Sequence, residues 1–444
     1  MKPTLVFLLV MLALLTVVFG VLTQREDGAP VPVVGESLIP AGGIDFGRLL
    51  PLWSAIPFAG ILLSIALFPL FAPRFWSAHF GKVTLFWSLA FALPFLFAFR
   101  GHLGAAGHEI LNVYVVDYLP FIILLWALYT VSGGIVVEGS LRGTPFTNLV
   151  LLVLGTAVAS WVGTTGASML MVRPLLRANA ARRHKAHIFV FFIFLVSNIG
   201  GCLTPLGDPP LFLGFLHGVP FFWTFALWPE MLTAAGLVLA VFLVLDLYYY
   251  SRERALPPVP VGEGVRLRGM LNLLFLAGIV GGVLMSGILR LGAVRLLGFS
   301  LEVQDLLRDA VLLMMGAGAY VFTRQELRDQ NGCTWHAIKE VAILFAGIFM
   351  TIIPALAILK AGKAGALAPL VSALETPAQY FWATGVLSSF LDNAPTYLTF
   401  FNSALGRFFP GMLEPDAVAA LLREQALFLK AIACGAVFMG ANTY

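Results

Sequence analysis

Charge is what this chain has least of. Only 11% of its residues are Asp, Glu, Lys or Arg, against about a quarter in ordinary soluble domains. That supply cannot cover a water-facing surface, so a soluble globular protein is excluded. Cysteine is scarce too. Cys202, Cys333 and Cys434 stand far apart without metal-ligand spacing, two of them in or beside apolar segments, which argues against a disulfide framework. There is no GxxxxGK[ST] loop, so ATP-driven work by this chain alone is not expected. No basic block has the make-up of a nucleic-acid patch. His102, His108, His184 and His187 show no convergent spacing for a transition metal, and no nucleophile–base pair suggests an enzyme.

What fills the chain is apolar: 59% hydrophobic residues, 38 Phe and a mean hydropathy of +0.92. This composition reads as an all-α polytopic membrane protein whose first partner is the lipid bilayer. The run 5–22 is either a secretory signal or a first transmembrane helix; its length and poor cleavage site favour a retained helix. Residues 25–48 read as a loop outside lipid. Spans are expected over 50–71, 83–99 and 114–137. The next run, 148–161, is short for a crossing, and 169–176 follows it closely around Gly163-Thr164-Thr165-Gly166-Ala167-Ser168. Together 148–179 read as a re-entrant hairpin, with one glycine-weakened helix as the plainer alternative.

Arg173, Arg177, Arg182, Arg183 and Lys185 form the densest basic cluster, which the positive-inside rule puts in the cytoplasm. Then 187–216 is an apolar stretch interrupted by SNIGGCLTPLGDPP (197–210), with Gly200, Gly201, Gly207, Pro205, Pro209 and Pro210. A helix cannot pass through that spacing of glycine and proline. An opened backbone at membrane depth survives only inside protein or beside a water-filled cavity. Further spans are expected over 221–248, 270–289, 310–322 and 341–359. The basic-rich loops 251–269 and 323–340 then fall inside, and 290–309 outside. A second hairpin follows, 380–390 and 397–401 around Leu391-Asp392-Asn393-Ala394-Pro395-Thr396. Five crossings separate the hairpins, so they enter from opposite faces, as in an inverted repeat. The last run, 427–439, leads into Gly440-Ala441-Asn442-Thr443-Tyr444 as the first hairpin leads into its broken helix. An inverted repeat would need a further half-helix beyond Tyr444, so the native chain is expected to continue. The expected organisation is 1–24 as the N-terminal segment, 25–147 as scaffold, 148–250 as the first hairpin, broken helix and following helix, 251–375 as second scaffold, and 376–444 as the second hairpin with an incomplete broken helix.

Acids at the breaks carry the chemistry. Asp208 precedes Pro209, so it suits a helix cap and can also titrate against a cation at the half-helix N-terminus. Asp392 sits at the second tip; a carboxylate at membrane depth costs roughly 3 kcal/mol or more unless hydrated, paired or neutralised. There Asn393, two residues before Pro395, looks the better cap. Thr164, Thr165, Ser168, Ser197, Asn198, Thr204, Thr396, Asn442 and Thr443 offer oxygens that, with freed carbonyls, suit a small hard cation; they can equally re-satisfy opened backbone. The breaks themselves are expected at Gly163, Gly166, Gly200, Gly201, Pro205, Gly207, Pro209, Pro395 and Gly440. Asp117, Glu138 and Glu340 lie near span ends and read as interfacial. Arg173 with Pro174 reads as an interfacial anchor, and Gly133-Gly134 as a point of close helix packing.

Three segments, GTTGASMLMVRPLLRAN (163–179), SNIGGCLTPLGDPP and FLDNAPTYLTF (390–400), resemble signature segments of the ion transporter superfamily. The nearest resemblance is to NhaD-type sodium/proton antiporters and the citrate-transporter-like proteins beside them, over roughly 50–444. It implies a homodimer in the bacterial-type inner membrane, with an elevator-like transport domain holding both hairpins and both broken helices. The Ser-Asn-Thr tips of the sodium-coupled carboxylate branch are not matched, and the extra acids favour a cation as substrate. The expectation is therefore a secondary transporter exchanging Na+ for H+ at Asp208 and Asp392, with no other cofactor. The rivals are sodium-coupled citrate or dicarboxylate symport, with Asn198, Asn393 and the half-helix N-termini holding carboxylates, and arsenite or oxyanion efflux.

Overall fold

The computed structural model describes residues 44–139, 141–253, 266–296 and 299–442. The expectations for 5–22 and Thr443, and most of the 25–48 loop, lie outside these residues. The protein is all-α and polytopic: seven helical stretches among the described residues are long and apolar enough to cross a membrane. Contacts divide the chain into two units with interleaved segments. Among the described residues, unit 1 draws on Ile123–Asp208 and Phe221–Thr334, and unit 2 on 44–122, Pro209–Pro220 and 335–442.

In chain order the main helices are α1 (Ile56–Phe71), α2 (Pro73–Ala98), α3 (Leu103–Asn112), a π-helical segment (Val113–Tyr118) and α4 (Leu119–Ser132). Then come α5 (Pro145–Val162), α6 (Thr164–Ala178), α7 (Ala186–Leu195), α8 (Pro209–Leu216) and α9 (Trp228–Tyr250). The chain goes on with α10 (Leu271–Ile288), α11 (Val303–Phe322), α12 (Trp335–Lys360), α13 (Pro377–Ser388), α14 (Asn393–Phe408), α15 (Glu414–Glu424) and α16 (Ala426–Met439). Proline opens many of them. It stands in the first turn of α2, α5, α8, α9, α13 and α15, where its missing N–H would have been unpaired anyway.

Several expectations change in detail. The 114–137 span stops at Ser132, because Gly133 and Gly134 turn the chain; Gly134 packs so closely on Asn272 that a Cβ would meet its side chain at 2.5 Å. Beyond it β1 (Val136–Glu138) pairs antiparallel with β2 (Arg266–Arg268). The stretch 290–309 is not a plain loop: β3 (Ala293–Leu296) and β4 (Phe299–Glu302) form an antiparallel hairpin, and α11 starts at Val303. The first arm of the first hairpin, expected to be short, runs 18 residues as α5 and is long enough to cross. Asp117 is not interfacial but buried within the helical stretch Arg100–Ser132. Glu138, paired with Arg268 at 2.8 Å, and Glu340, on the first turns of α12, are half-exposed.

The hairpins and breaks do form. In unit 1, α5 and α6 pack along each other on either side of Gly163, and α7 ends before a turn of 3-10 helix (Ile199–Gly201) and an irregular stretch up to α8. The base of this hairpin is fastened by a buried polar network. Arg182, one of the basic cluster placed in the cytoplasm, is fully buried and pairs with Asp246 of α9 at 2.5 Å. His187 (2.9 Å) and Asn148 (3.0 Å) complete the shell of that carboxylate. In unit 2, α13 and α14 form the arms of the second hairpin, and α13 packs against α16.

Candidate functional site

The first hairpin and its broken helix build a cavity within unit 1. Its construction starts at Gly163, whose φ of +80° is a conformation that side-chain-bearing residues rarely adopt. This lets α6 begin at the very next residue. The Thr164 N–H, free at a helix start, donates to the Gly207 carbonyl at 2.8 Å, and the Thr164 hydroxyl donates to Asp208 Oδ1 at 3.3 Å. The tip is thus stitched to the opened backbone of the broken helix. That backbone folds on itself where Gly201 and Gly207 meet: a Cβ on Gly207 would lie 2.0 Å from the Gly201 carbonyl oxygen. Ser160, on α5, holds the other side. Its hydroxyl donates to the Gly200 carbonyl at 2.5 Å and accepts from the Leu203 N–H at 3.0 Å. Polar groups freed by the break are therefore answered by side chains of the hairpin.

The cavity encloses about 500 Å³ and is lined by Thr164, Thr165, Ser168, Arg173, Ser197 and Asn331, with Met169, Val172, Leu176 and Phe192 as its apolar wall. Four of the residues expected from sequence thus come together: Thr164, Thr165, Ser168 and Ser197. The Ser168 and Ser197 hydroxyls bond each other at 2.8 Å. Two contributors were not foreseen. Arg173 is exposed into this space rather than serving as a plain anchor, and no acidic side chain pairs with it among the described residues. Asn331, in the turn after a short helix (Gln325–Gln330), is held by donating to the Gly133 and Ile135 carbonyls at 3.0 and 2.6 Å. The positive end of α6 adds to the Arg173 charge. Such a site offers an anion one guanidinium and hydroxyl donors, while Asn331, with both amide hydrogens on backbone carbonyls, shapes the wall without a donor to spare.

Other expected residues do different work. Asp208 is buried, with the Thr164 hydroxyl as one partner, and is not part of the cavity wall. Asn198 donates to the Ile193 carbonyl at 3.0 Å, closing the end of α7. Thr204 is fully buried, donates to the Ser160 carbonyl and accepts from Leu206, which makes it a brace of the loop. Gly166 is no break: it lies inside α6, packed against Ser132. Gly200, Gly201, Pro205, Gly207 and Pro209 do stand in or at the edge of the opened stretch.

The second tip belongs to unit 2. Here the expected order of capping is reversed. Asp392, not Asn393, is the N-cap of α14, accepting from the Ala394 N–H at 2.9 Å, and Asn393 is already helical. Asp392 has the extended backbone an N-cap needs, and Pro395 then falls in the first turn, where no N–H is missed. Thr396 turns its hydroxyl back onto the Asp392 carbonyl at 2.8 Å. Gly440 follows α16 in a 3-10 turn (Gly440–Asn442), from which Asn442 donates to Ser389 at 3.3 Å.

A model of one protein family, described as "putative citrate transport", matches residues 47–444. No curated protein matches the chain.

Proposed function

The chain belongs to the putative citrate transport family, and from that membership and its multi-pass helical fold, which make it a secondary transporter, we propose that the cavity of unit 1 binds a small carboxylate of the citrate class for cation-coupled transport. One observation carries this reading: a cavity of about 500 Å³ whose one charged lining residue, among the described residues, is Arg173, with Thr164, Thr165, Ser168, Ser197 and Asn331 around it. A volume in that range suits a small organic molecule rather than a bare ion, and a guanidinium with hydroxyl donors is complementary to carboxylates. Na+ or H+ would bind at Asp208 and Asp392, with hydroxyl and carbonyl oxygens completing the shell. A homodimer with an elevator-like movement of the hairpins, in a bacterial-type inner membrane, is the arrangement proposed for the working protein.

Exchange of Na+ for H+ without an organic substrate is the second reading. It is favoured by Asp208, which is buried, and by Asp392 at a helix start. Proteoliposomes separate the two. Citrate uptake driven by an inward Na+ gradient, lost in Arg173→Gln, supports the carboxylate reading. Collapse of an imposed pH gradient by Na+ or Li+ alone, lost in Asp392→Asn and unaffected by Arg173→Gln, would replace it with antiport.

A further inference from the structure

Unit 2 contains a chain of four ionisable side chains that the cavity reading does not use. Asp117 Oδ1 lies 3.4 Å from His217 Nε2, His217 Nδ1 lies 2.5 Å from Glu414 Oε1, and Glu414 Oε2 lies 2.7 Å from Lys360 Nζ. Each comes from a different element: Asp117 from the π-helical segment, His217 from the residue after α8, Glu414 from the start of α15 and Lys360 from the end of α12. Side-chain exposure falls along the chain, from 42% at Lys360 through 29% at Glu414 and 12% at His217 to 9% at Asp117. The series therefore has an exposed end and a buried end. Glu109 of α3 adds a further negative charge near Asp117 and Lys360, and the face of His217 toward α14 is closed by the Phe401 ring, 6.1 Å away.

Three features of this chain go beyond a static ion-pair network. First, His217 Nε2 is buried and makes no hydrogen bond of good geometry, although a carboxylate faces it; a buried ring nitrogen in that position calls for a proton to complete it. Second, Asp117 sits on a π-helical turn inside an otherwise α-helical stretch, a local irregularity frequent at functional positions. Third, the charges balance only conditionally. With Asp117, Glu414 and Lys360 charged, a protonated His217 neutralises the four-residue chain, and a neutral His217 leaves one buried negative charge uncompensated.

We propose that His217, set between Asp117 and Glu414 and reached from the Lys360 end, is a proton-binding site through which transport is coupled to H+. Loading forms one N–H bond at Nε2 and turns the ring into an imidazolium bridging the two carboxylates; release breaks the same bond, returns the proton to water and leaves the ring neutral with its Nδ1–H on Glu414. His217 directly follows α8, so the bridge ties the outgoing half of the broken helix to the π-helical segment and to α15, and loosens when the proton leaves. The site stands whether the transported species is a carboxylate or Na+. Its electrostatics agree: burial alone would favour the neutral ring, but Glu414 and Asp117 outweigh it and raise the His217 pKa above its ordinary value. Likewise burial of Glu414 would raise its carboxyl, and Lys360 and His217 override this to hold it far below the usual range.

The test uses the full chain with two readouts. In purified protein, the His217 ring is followed by NMR over a pH series through the His range, in wild type and in Asp117→Asn. The expected result is one titration, with its midpoint lowered by about one unit or more when the Asp117 charge is removed; a ring that does not titrate, or one indifferent to Asp117→Asn, overturns the proposal. In proteoliposomes, the pH dependence of citrate uptake, or of Na+-dependent pH-gradient collapse, is expected to flatten at least several-fold in His217→Gln, while His336→Gln, at an exposed histidine outside the chain of charges, keeps the wild-type profile. An unchanged profile in His217→Gln overturns the coupling. Absence of citrate uptake by the wild-type protein at every pH, with its His217 ring titrating and responding to Asp117→Asn as expected, would count against the cavity reading, not against this site.

Discussion

The two hairpins solve one problem with different degrees of closure. In each, a serine near the end of the first arm reaches a backbone carbonyl of a following helix: Ser160 to Gly200, Ser388 to Ala436. In each, a glycine on that following element lies against the backbone of the arm, Gly200 on Thr156 and Gly435 on Phe381. The two arms are thus fastened by the same kind of local contact. The tips then diverge. The first turns in one glycine and is stitched to the broken helix through Thr164. The second spends several residues, caps α14 with its own Asp392, and leaves Thr384 Oγ1 buried with no partner among the described residues. The first hairpin is cross-braced by its neighbour; the second is largely self-capped.

Substitutions can break or sharpen this contrast. The largest effect is expected at Gly207, which the first hairpin's partner loop needs for its close approach to Gly201. A valine there forces backbone against the Gly201 carbonyl, so Gly207→Val is expected to cost ~3 kcal/mol or more, or to abolish folding, read as loss of the folded peak in detergent size-exclusion and a large fall in Tm. The paired glycines should behave alike: Gly200→Ala and Gly435→Ala place a Cβ 2.7 and 2.6 Å from a carbonyl oxygen, and each is expected to cost about 1–3 kcal/mol by thermal unfolding. A cost at only one would break the correspondence. The serines should differ. Ser160→Ala strands the Leu203 N–H as well as the Gly200 carbonyl and is expected to lose about 1–3 kcal/mol, more than Ser388→Ala. The smallest effect is expected at the threonines. Thr164→Val removes the hydroxyl on Asp208 and should cost about 1 kcal/mol, whereas Thr384→Val, which replaces an unpartnered buried hydroxyl by a methyl, should be neutral or stabilising.

The parts of the fold visible in the sequence are those where local chemistry decides. Glycine and proline density marked the break at 197–210 and the tip at Gly163 because those residues act on their own backbone, whatever surrounds them. Apolar run length located the spans for the same reason. Arg173 and Asn331 could not be paired in that way: they come from distant parts of the chain, and neither lies in a pattern that points to the other. The Asp392 cap was missed because Asp and Asn both suit the position, and backbone geometry rather than residue type chose between them. Asp117 was read as interfacial since the π-helical turn that keeps it inside leaves no mark on hydropathy. His217 followed a short apolar run and carried no spacing toward Asp117, Glu414 or Lys360, so that chain of charges is a product of tertiary packing alone.

The interleaving of the two units has a consequence for biosynthesis. Pro209–Pro220 belongs to unit 2, yet it leaves the ribosome before the whole of Phe221–Thr334, which belongs to unit 1. Its packing partners α14 and α16 are made later still. At ordinary synthesis rates α8 and His217 must therefore wait many seconds for them. During that interval a short apolar half-helix with an ionisable end has the already-made π-helical segment of its own unit to lean on, but not α14 or α16. The segments of unit 1 are all made when Thr334 emerges, whereas unit 2 still needs Trp335 onward, including α14 and α16. A ribosome pausing between 334 and 393 would hold the nascent protein with one unit assembled and the other open.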